Sequence, residues 1–300
     1  MSKVRYRGRF APSPTGPLHF GSLVSALASY LDAKANQGEW LVRIEDIDPP
    51  REQAGATECI LKALECYGLH WDHSIIYQSS RQTIYQEHID QLCTQQQAYP
   101  CTCSRKELSA YNGQYPGTCR SQRKTPTTPF AIRLKTHPTA IEFVDGIQGK
   151  QSFNLEEAGG DFIIKRKDGL FAYQLAVVVD DFLQEITHII RGSDLLDSTP
   201  RQYYLQSVLA FSHPNYAHIP AIIANDGKKL SKQNLADPLP LKQPQPLLLR
   251  ALHALNQHPL PELSDATVSE ILQWATTHWN ASAIPQTLTI PEACLPTIVV

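Results

Sequence analysis

The chain has 300 residues, 42% of them hydrophobic and 19% charged, which supplies a sizeable core for one large domain or two smaller ones and excludes disorder, collagen and coiled coil. The formal net charge of −2 gives no support for binding nucleic acid by bulk electrostatics, although a local basic face can sit on a neutral protein. No apolar run follows Met1–Arg7, so export is not expected, and no stretch is long enough to span a bilayer; the expectation is a cytoplasmic protein with no membrane partner.

In chain order, Val4–Phe10 reads as a strand running into a Pro/Gly turn, Ala11–Pro17. Leu23, Leu27, Tyr30 and Leu31 then recur at helical spacing. Glu39–Ile44 is a second short strand, closed by the acidic turn Glu45–Pro50. Helices follow over roughly 51–67 and 81–95. Strand and helix alternate, which argues for an α/β fold on a parallel sheet. From about 99 to 161 Pro, Gly and Thr dominate and helical periodicity is poor, as in an insertion held by metal. Phe162–Lys165 resumes regular structure. Leu175–Val179 is a buried strand or part of a helix, and Ile186–Arg191 is apolar again. Ser198, Thr199 and Pro200 mark a helix start. Asp226–Asn234 is a polar loop, and the closely spaced Pro238, Pro240, Pro244 and Pro246 read as a linker. The remainder looks helical, with Ser264 as a cap before the stripe Val268, Ile271, Leu272 and Ala275.

Seven cysteines is an odd count. Cys59, Cys66, Cys93 and Cys294 stand alone and read as small apolar core residues. Cys101, Cys103 and Cys119 cluster, and without export they read as metal ligands before disulfides. Zinc favours four N/S ligands in a closed structural site, so three thiolates are incomplete; Tyr115, Tyr111, His137 or water can supply the fourth. Arg120, Arg123 and Lys124 beside the cluster read as a solvated loop.

The run Arg9–Ser22 carries the most chemistry. A strand ends, a rigid turn follows and a helix begins near His19; free amides at a helix start suit phosphate, and Gly21 lets a flat base approach the backbone. His19 is a candidate donor to a phosphate oxygen. Lys228-Lys229-Leu230-Ser231-Lys232 offers lysines that can neutralise charge growing on a triphosphate.

Together these two pieces resemble class I aminoacyl-tRNA synthetases. His19-Phe20-Gly21-Ser22 sits where that family carries its first signature, with Ser22 in place of the final histidine, and Lys229-Leu230-Ser231-Lys232-Gln233 looks like the second. The flanking text is similar to glutamyl-tRNA synthetases: Arg9–Gly16, Arg43–Asp48, Val179-Asp180-Asp181, Ile186-Thr187-His188, Ile190-Arg191-Gly192 and Thr199-Pro200-Arg201-Gln202, in order across about three quarters of the chain. The resemblance implies a Rossmann-type catalytic domain over 1–237, with the zinc-bearing insertion at about 99–161, and a small helical region over 238–300 that contacts an RNA stem.

It also implies roles. Arg9, Arg191 and Tyr173, with Ala11 and Ser13, would bind glutamate, and Glu45 would meet its ammonium. An arginine fork has no acceptor for an amide, so such a pocket rejects glutamine. Pro12, His19, Gly21, Ser22, Lys229, Ser231 and Lys232 would bind ATP, with Mg2+ on the phosphates and His19 and Lys232 catalytic. The family's large anticodon-binding region has no counterpart here, since only about 65 residues follow the lysine loop. That layout, with Phe20, Ser22 and the cysteine cluster, looks like the short glutamyl-Q tRNA(Asp) branch. The branch implies Tyr115 as the fourth zinc ligand to Cys101, Cys103 and Cys119. It further implies a monomer that joins L-glutamate to queuosine in the tRNA(Asp) anticodon stem-loop.

Overall fold

Arg7–Phe10 (β1) and Glu39–Ile44 (β2) pair in parallel, Gly8 opposite Trp40, and the helix Phe20–Ala35 (α1) is the crossover that a parallel pair requires. The computed structural model describes residues 5–111, 114–121, 126–138, 140–224 and 237–296. All six residues of β2 are buried, as befits a strand covered on both faces. After the helix Ala56–Cys66 (α2), Ile76–Tyr77 (β3) extends the sheet in parallel beyond β2.

The chain then leaves this sheet through the helix Gln82–Thr94 (α3). Ala98–Cys101 (β4), the short helix Arg105–Leu108 (α4), Ala131–Leu134 (β5), the hairpin Ala140–Asp145 (β6) and Gly149–Asn154 (β7), and Phe162–Lys165 (β8) follow. β4, β5 and β8 form an antiparallel sheet in that order. The sheet runs past the expected end of the insertion at about 161, into β8.

Leu175–Val179 lies in the helix Tyr173–Leu183 (α5). Its five residues are all buried, packed in one core with Ile89, Leu92, Leu134 and Ile164. A helix covered all round shows no periodic stripe, which is why the sequence left strand and helix open. His188–Gly192 (β9) comes back beside β1, in a separate two-stranded sheet; at its entry Thr187 N–H donates to the Arg7 carbonyl at 2.9 Å. The helix Thr199–Val208 (α6) leads to Asn215–Ile219 (β10), parallel to β9. Pro200 stands in the first turn of α6 as expected, but Ser198 makes no cap, and the Thr199 hydroxyl donates back to Leu195 O at 3.2 Å.

Ala221–Ile223 (β11) precedes the polar stretch 225–236, which lies outside the described residues. Gln245–Ala254 (α7) and Val268–Thr277 (α8) pack on α1 in one core: Leu27 and Leu31 share it with Leu248, Leu252, Leu255 and Ile271. Ser264 is not the cap of α8. Thr267 is, in a reciprocal capping box with Glu270, the residue three positions on. Thr289–Pro291 (β12) then pairs in parallel with β11.

Two of the four lone cysteines are not core residues: Cys59 and Cys294 are exposed. Cys66 on α2 and Cys93 on α3 are half-buried and pack against the edges of the two main cores. No helix of the described residues is long and apolar enough to cross a membrane.

Candidate active site

A cleft of about 680 Å³ opens where the carboxyl ends of β1, β2 and β9 meet the start of α1. Parallel sheets place ligands at this edge. The cleft brings together Arg9, Ala11, Pro12 and Ser13 from the end of β1, and His19, Gly21 and Ser22 from α1. Glu45 comes from the end of β2, Tyr173 from the start of α5 and Arg191 from β9. Lys229, Ser231 and Lys232 lie outside the described residues.

The floor is charged and buried. Arg9 is 4% exposed and grips Asp181 through Nε and Nη2 at 3.2 and 3.3 Å, which leaves Nη1 for a ligand. Arg43, fully buried, donates to Asp181 at 2.8 Å, Gln184 Oε1 at 2.7 Å and Glu45 Oε1 at 3.3 Å. Arg43 and Glu45 are therefore a buried pair. Burial alone would raise the Asp181 carboxyl, but Arg43 and Arg9 hold it below the ordinary carboxylate value. Burial pushes Glu45 above its ordinary value, with Asp181 adding to the push and Arg43 and Arg9 opposing it. Two anions and two arginines thus share one dry site, with Glu45 the carboxylate that faces the cleft.

Arg191 is held on every side. Its Nε donates to His218 Nε2 at 3.0 Å, Nη2 to Thr199 Oγ1 at 2.9 Å and Gln202 Oε1 at 2.8 Å, and Nη1 to the Tyr173 hydroxyl at 3.3 Å. Its plane also lies over the Tyr216 ring, 5.4 Å from the centroid.

His19 is the residue before the first turn of α1, with extended backbone, and its Nδ1 accepts the Ser22 backbone N–H at 3.3 Å. A neutral ring then carries its proton on Nε2. The Ser22 main chain, rather than its hydroxyl, makes this bond. A Cβ on Gly21 would stand 3.3 Å from two atoms of the His19 ring, so a glycine here keeps the ring in place and the cleft wall flat.

The Sγ atoms of Cys101, Cys103 and Cys119 lie within 4.8 Å of one another, and among the described residues no histidine or carboxylate joins them. The Tyr115 hydroxyl stands 3.4 Å from Cys101 Sγ and 3.9 Å from Cys103 Sγ, and Cys103 and Cys119 are 3.6 Å apart. A tetrahedral Zn–S bond of about 2.3 Å spaces sulfurs by roughly 3.8 Å, so the four side chains fit a zinc ion. Arg133 backs the cluster, donating to Cys101 Sγ at 3.3 Å and lying 4.0 Å over the Tyr115 ring. Arg120 stands in an exposed turn, as a loop residue does, and also clamps Asp161 through Nε at 2.9 Å and Nη2 at 2.6 Å. Arg123 and Lys124 lie outside the described residues.

Sequence reasoning gave no role to Arg43, Asp181 or Gln202, although all three stand inside quoted motifs. Asp145 and His218 stand in none, and only their meeting in space reveals them.

The tRNA synthetases class I (E and Q) catalytic domain matches residues 4–239. Relatives named glutamyl-Q tRNA(Asp) synthetase share high identity over nearly both full lengths. The one from Pseudomonas fluorescens is 54% identical over 290 residues, 97% of each chain, and one from Pseudomonas putida is 53% identical over 295 residues, 98% of each. Among solved structures, a glutamate tRNA ligase from Elizabethkingia meningosepticum in complex with its amino acid aligns with TM-score 0.80 at 26% identity, over 94% of this chain and 66% of that one. Glutamate-tRNA synthetase from Elizabethkingia anophelis aligns with TM-score 0.80 at 27% identity, over 97% of this chain and 68% of that one. The chain belongs to the class I (E and Q) tRNA synthetases and, within them, to the glutamyl-Q tRNA(Asp) synthetase family.

Proposed function

We propose that the protein activates L-glutamate with ATP and transfers it to the queuosine base in the anticodon stem-loop of tRNA(Asp). One observation carries the activation step: Arg9, Arg191 and Glu45, two cations and an anion, converge in the cleft into which α1 presents its first amides. Glutamate carries two carboxylates and one ammonium. Arg9 Nη1 and Arg191 Nη1, with Tyr173, bind the side-chain carboxylate, and Glu45 takes the ammonium, with Ala11 and Ser13 against the backbone of the ligand. The α-carboxylate then attacks the ATP α-phosphorus, and pyrophosphate leaves. Pro12, His19, Gly21 and Ser22 hold the nucleotide, His19 offering its Nε2 proton to a phosphate oxygen. Lys229, Ser231 and Lys232 cover the phosphates from the loop, with Lys232 neutralising the leaving charge. Mg2+ accompanies the triphosphate as part of the substrate. The rate comes from position and charge rather than from covalent catalysis.

A queuosine hydroxyl attacks the activated carbonyl next: the ester bond forms, the bond from that carbonyl to the phosphate oxygen breaks, and AMP leaves with the hydroxyl proton passing to its phosphate or to water. The target is supported by the likeness to glutamyl-Q tRNA(Asp) synthetases over nearly the whole of both chains. Residues 1–237 act as the catalytic unit, and 238–300 supply the surface toward the RNA stem. Cys101, Cys103, Cys119 and Tyr115 hold a structural Zn2+ that fixes the insertion. The protein works in the cytoplasm as a monomer.

The test is transfer of labelled glutamate to purified tRNA(Asp) with and without queuosine, beside tRNA(Glu). Label on the queuosine-bearing tRNA(Asp) alone is the expected result; label on tRNA(Glu) makes the protein a minimal synthetase of a tRNA 3′ end.

A further inference from the structure

Arg191 is almost wholly committed before any ligand arrives. Of its five N–H groups, one goes to His218, two to Thr199 and Gln202, and one to Tyr173, which leaves one on Nη1 for the cleft. A histidine is an unusual acceptor for an arginine, because only a neutral ring with a bare Nε2 can take the N–H. The reason that Nε2 is bare lies one residue further away. His218 Nδ1 meets Asp145 Oδ2 at 2.5 Å, and a carboxylate requires the ring proton there.

Asp145 is itself immobile. Its Oδ1 accepts the backbone N–H groups of Ile147, Gln148 and His218 at 3.0, 2.9 and 3.0 Å. The side chains of Asp145 and His218 have no solvent exposure. The row therefore runs from the β6–β7 hairpin through β10 to β9, joining the insertion to the cleft.

We propose that Asp145 and His218 are positioning residues for glutamate recognition: Asp145 fixes the tautomer of His218, and His218 holds the Arg191 guanidinium with Nη1 toward the ligand carboxylate. The proposal rests on the reading that Arg191 binds the glutamate side chain. Its consequence is selectivity as well as affinity. A guanidinium that cannot swing presents a fixed donor edge, which accepts a carboxylate and opposes the N–H groups of an amide.

Asp145→Asn separates this role from simple support. The Asn carbonyl keeps the three backbone bonds, while its amide donates to Nδ1 and drives the ring proton to Nε2. That N–H then opposes Arg191 N–H across 3.0 Å and turns toward Thr199 Oγ1, 3.1 Å from Nε2, so the bond that holds Arg191 Nε is lost. In glutamate-dependent pyrophosphate exchange, the variant is expected to raise KM for glutamate by roughly 10–100-fold, with KM for ATP changed by less than about twofold. Its relative use of glutamine rises. In a His218→Gln background, which has no imidazole tautomer, adding Asp145→Asn has less than about a threefold further effect. An unchanged glutamate KM overturns the proposal, as does a joint rise of both KM values with a fallen Tm. Wild-type protein that exchanges no pyrophosphate with glutamate overturns the activation reading and this proposal with it, so the two failures are distinct.

Discussion

Arg9 and Arg43 converge on a single carboxylate, and Asp181 between them offsets their mutual repulsion, with Glu45 also on Arg43. Removing that charge takes from Arg9 the carboxylate it grips and from Arg43 the nearest of its carboxylates. Asp181→Asn should therefore destabilise the protein by about 3–5 kcal/mol, seen as a lower urea midpoint at unchanged slope. Arg9→Ala should abolish glutamate-dependent pyrophosphate exchange; a variant that retains exchange would remove Arg9 from the pocket. Glu45 gives a pH signature. Its carboxyl lies above the ordinary value, chiefly by burial, and only the ionised form attracts an ammonium. As pH falls through that raised value Glu45 takes a proton, so KM for glutamate should climb at a higher pH than an exposed glutamate would give. Glu45→Gln should raise KM at all pH values and erase this acid limb.

Among the elements, α1 joins packing to chemistry. Its buried side carries Leu23, Leu27 and Leu31 into the core, and its start carries His19 and Gly21 into the cleft. Gly21→Val should push the His19 ring aside and raise KM for ATP at least tenfold in pyrophosphate exchange, with Tm changed little because the close neighbour is a ring on the cleft wall rather than the core. A zinc ion held by Cys101, Cys103, Cys119 and Tyr115 would brace the end of β4, so Cys101→Ser or strong chelation should lower Tm. A protein unaffected by both would hold no structural zinc.

The same elements show what the sequence could convey. The strand, turn and helix around Arg9–Ser22 were legible because glycine, proline and a periodic apolar stripe are local signals. The parallel sheet followed from their alternation. Leu175–Val179 stayed ambiguous because burial on all sides removes the polar face that reveals a helix. The cap of α8 was misplaced by three residues, since Ser264 and Thr267 are chemically alike and only Thr267 has an acidic partner three residues on. Asp145 and His218 lie 73 residues apart and meet only through the hairpin and β10, so no local pattern announces them.

At the scale of the whole molecule, three of the four buried aspartates among the described residues tie separate parts together: Asp181 the cleft floor, Asp145 the hairpin to β10, and Asp161 strand β4 at Tyr99 to the turn at Arg120. Burial alone would raise each carboxyl, yet their partners hold all three below the ordinary value. The unfolded chain therefore binds more protons than the folded one in acid. Their stabilisation is complete above the unfolded carboxylate value of about 4 and drains as pH falls through the lower folded values. Glu45 acts with the opposite sign. The urea midpoint should hold near neutral pH and fall steeply below about pH 4.

The pairing of β12 with β11 sets a condition on how the molecule is made. Ala221 and Ile222 of β11 wall the cleft, and their parallel neighbours are Thr289 and Ile290. Arg9 at the end of β1 lines the same cleft, so it and Ile290 of β12 serve one site across about 280 residues of chain. At about 5–20 residues per second, a ribosome needs roughly 15–60 s to travel from the first to the second. Throughout that interval the nascent chain holds the turn after β1 without the strand that braces the opposite wall. A chain stalled between β11 and β12 carries the motifs that line the cleft around an unbraced wall.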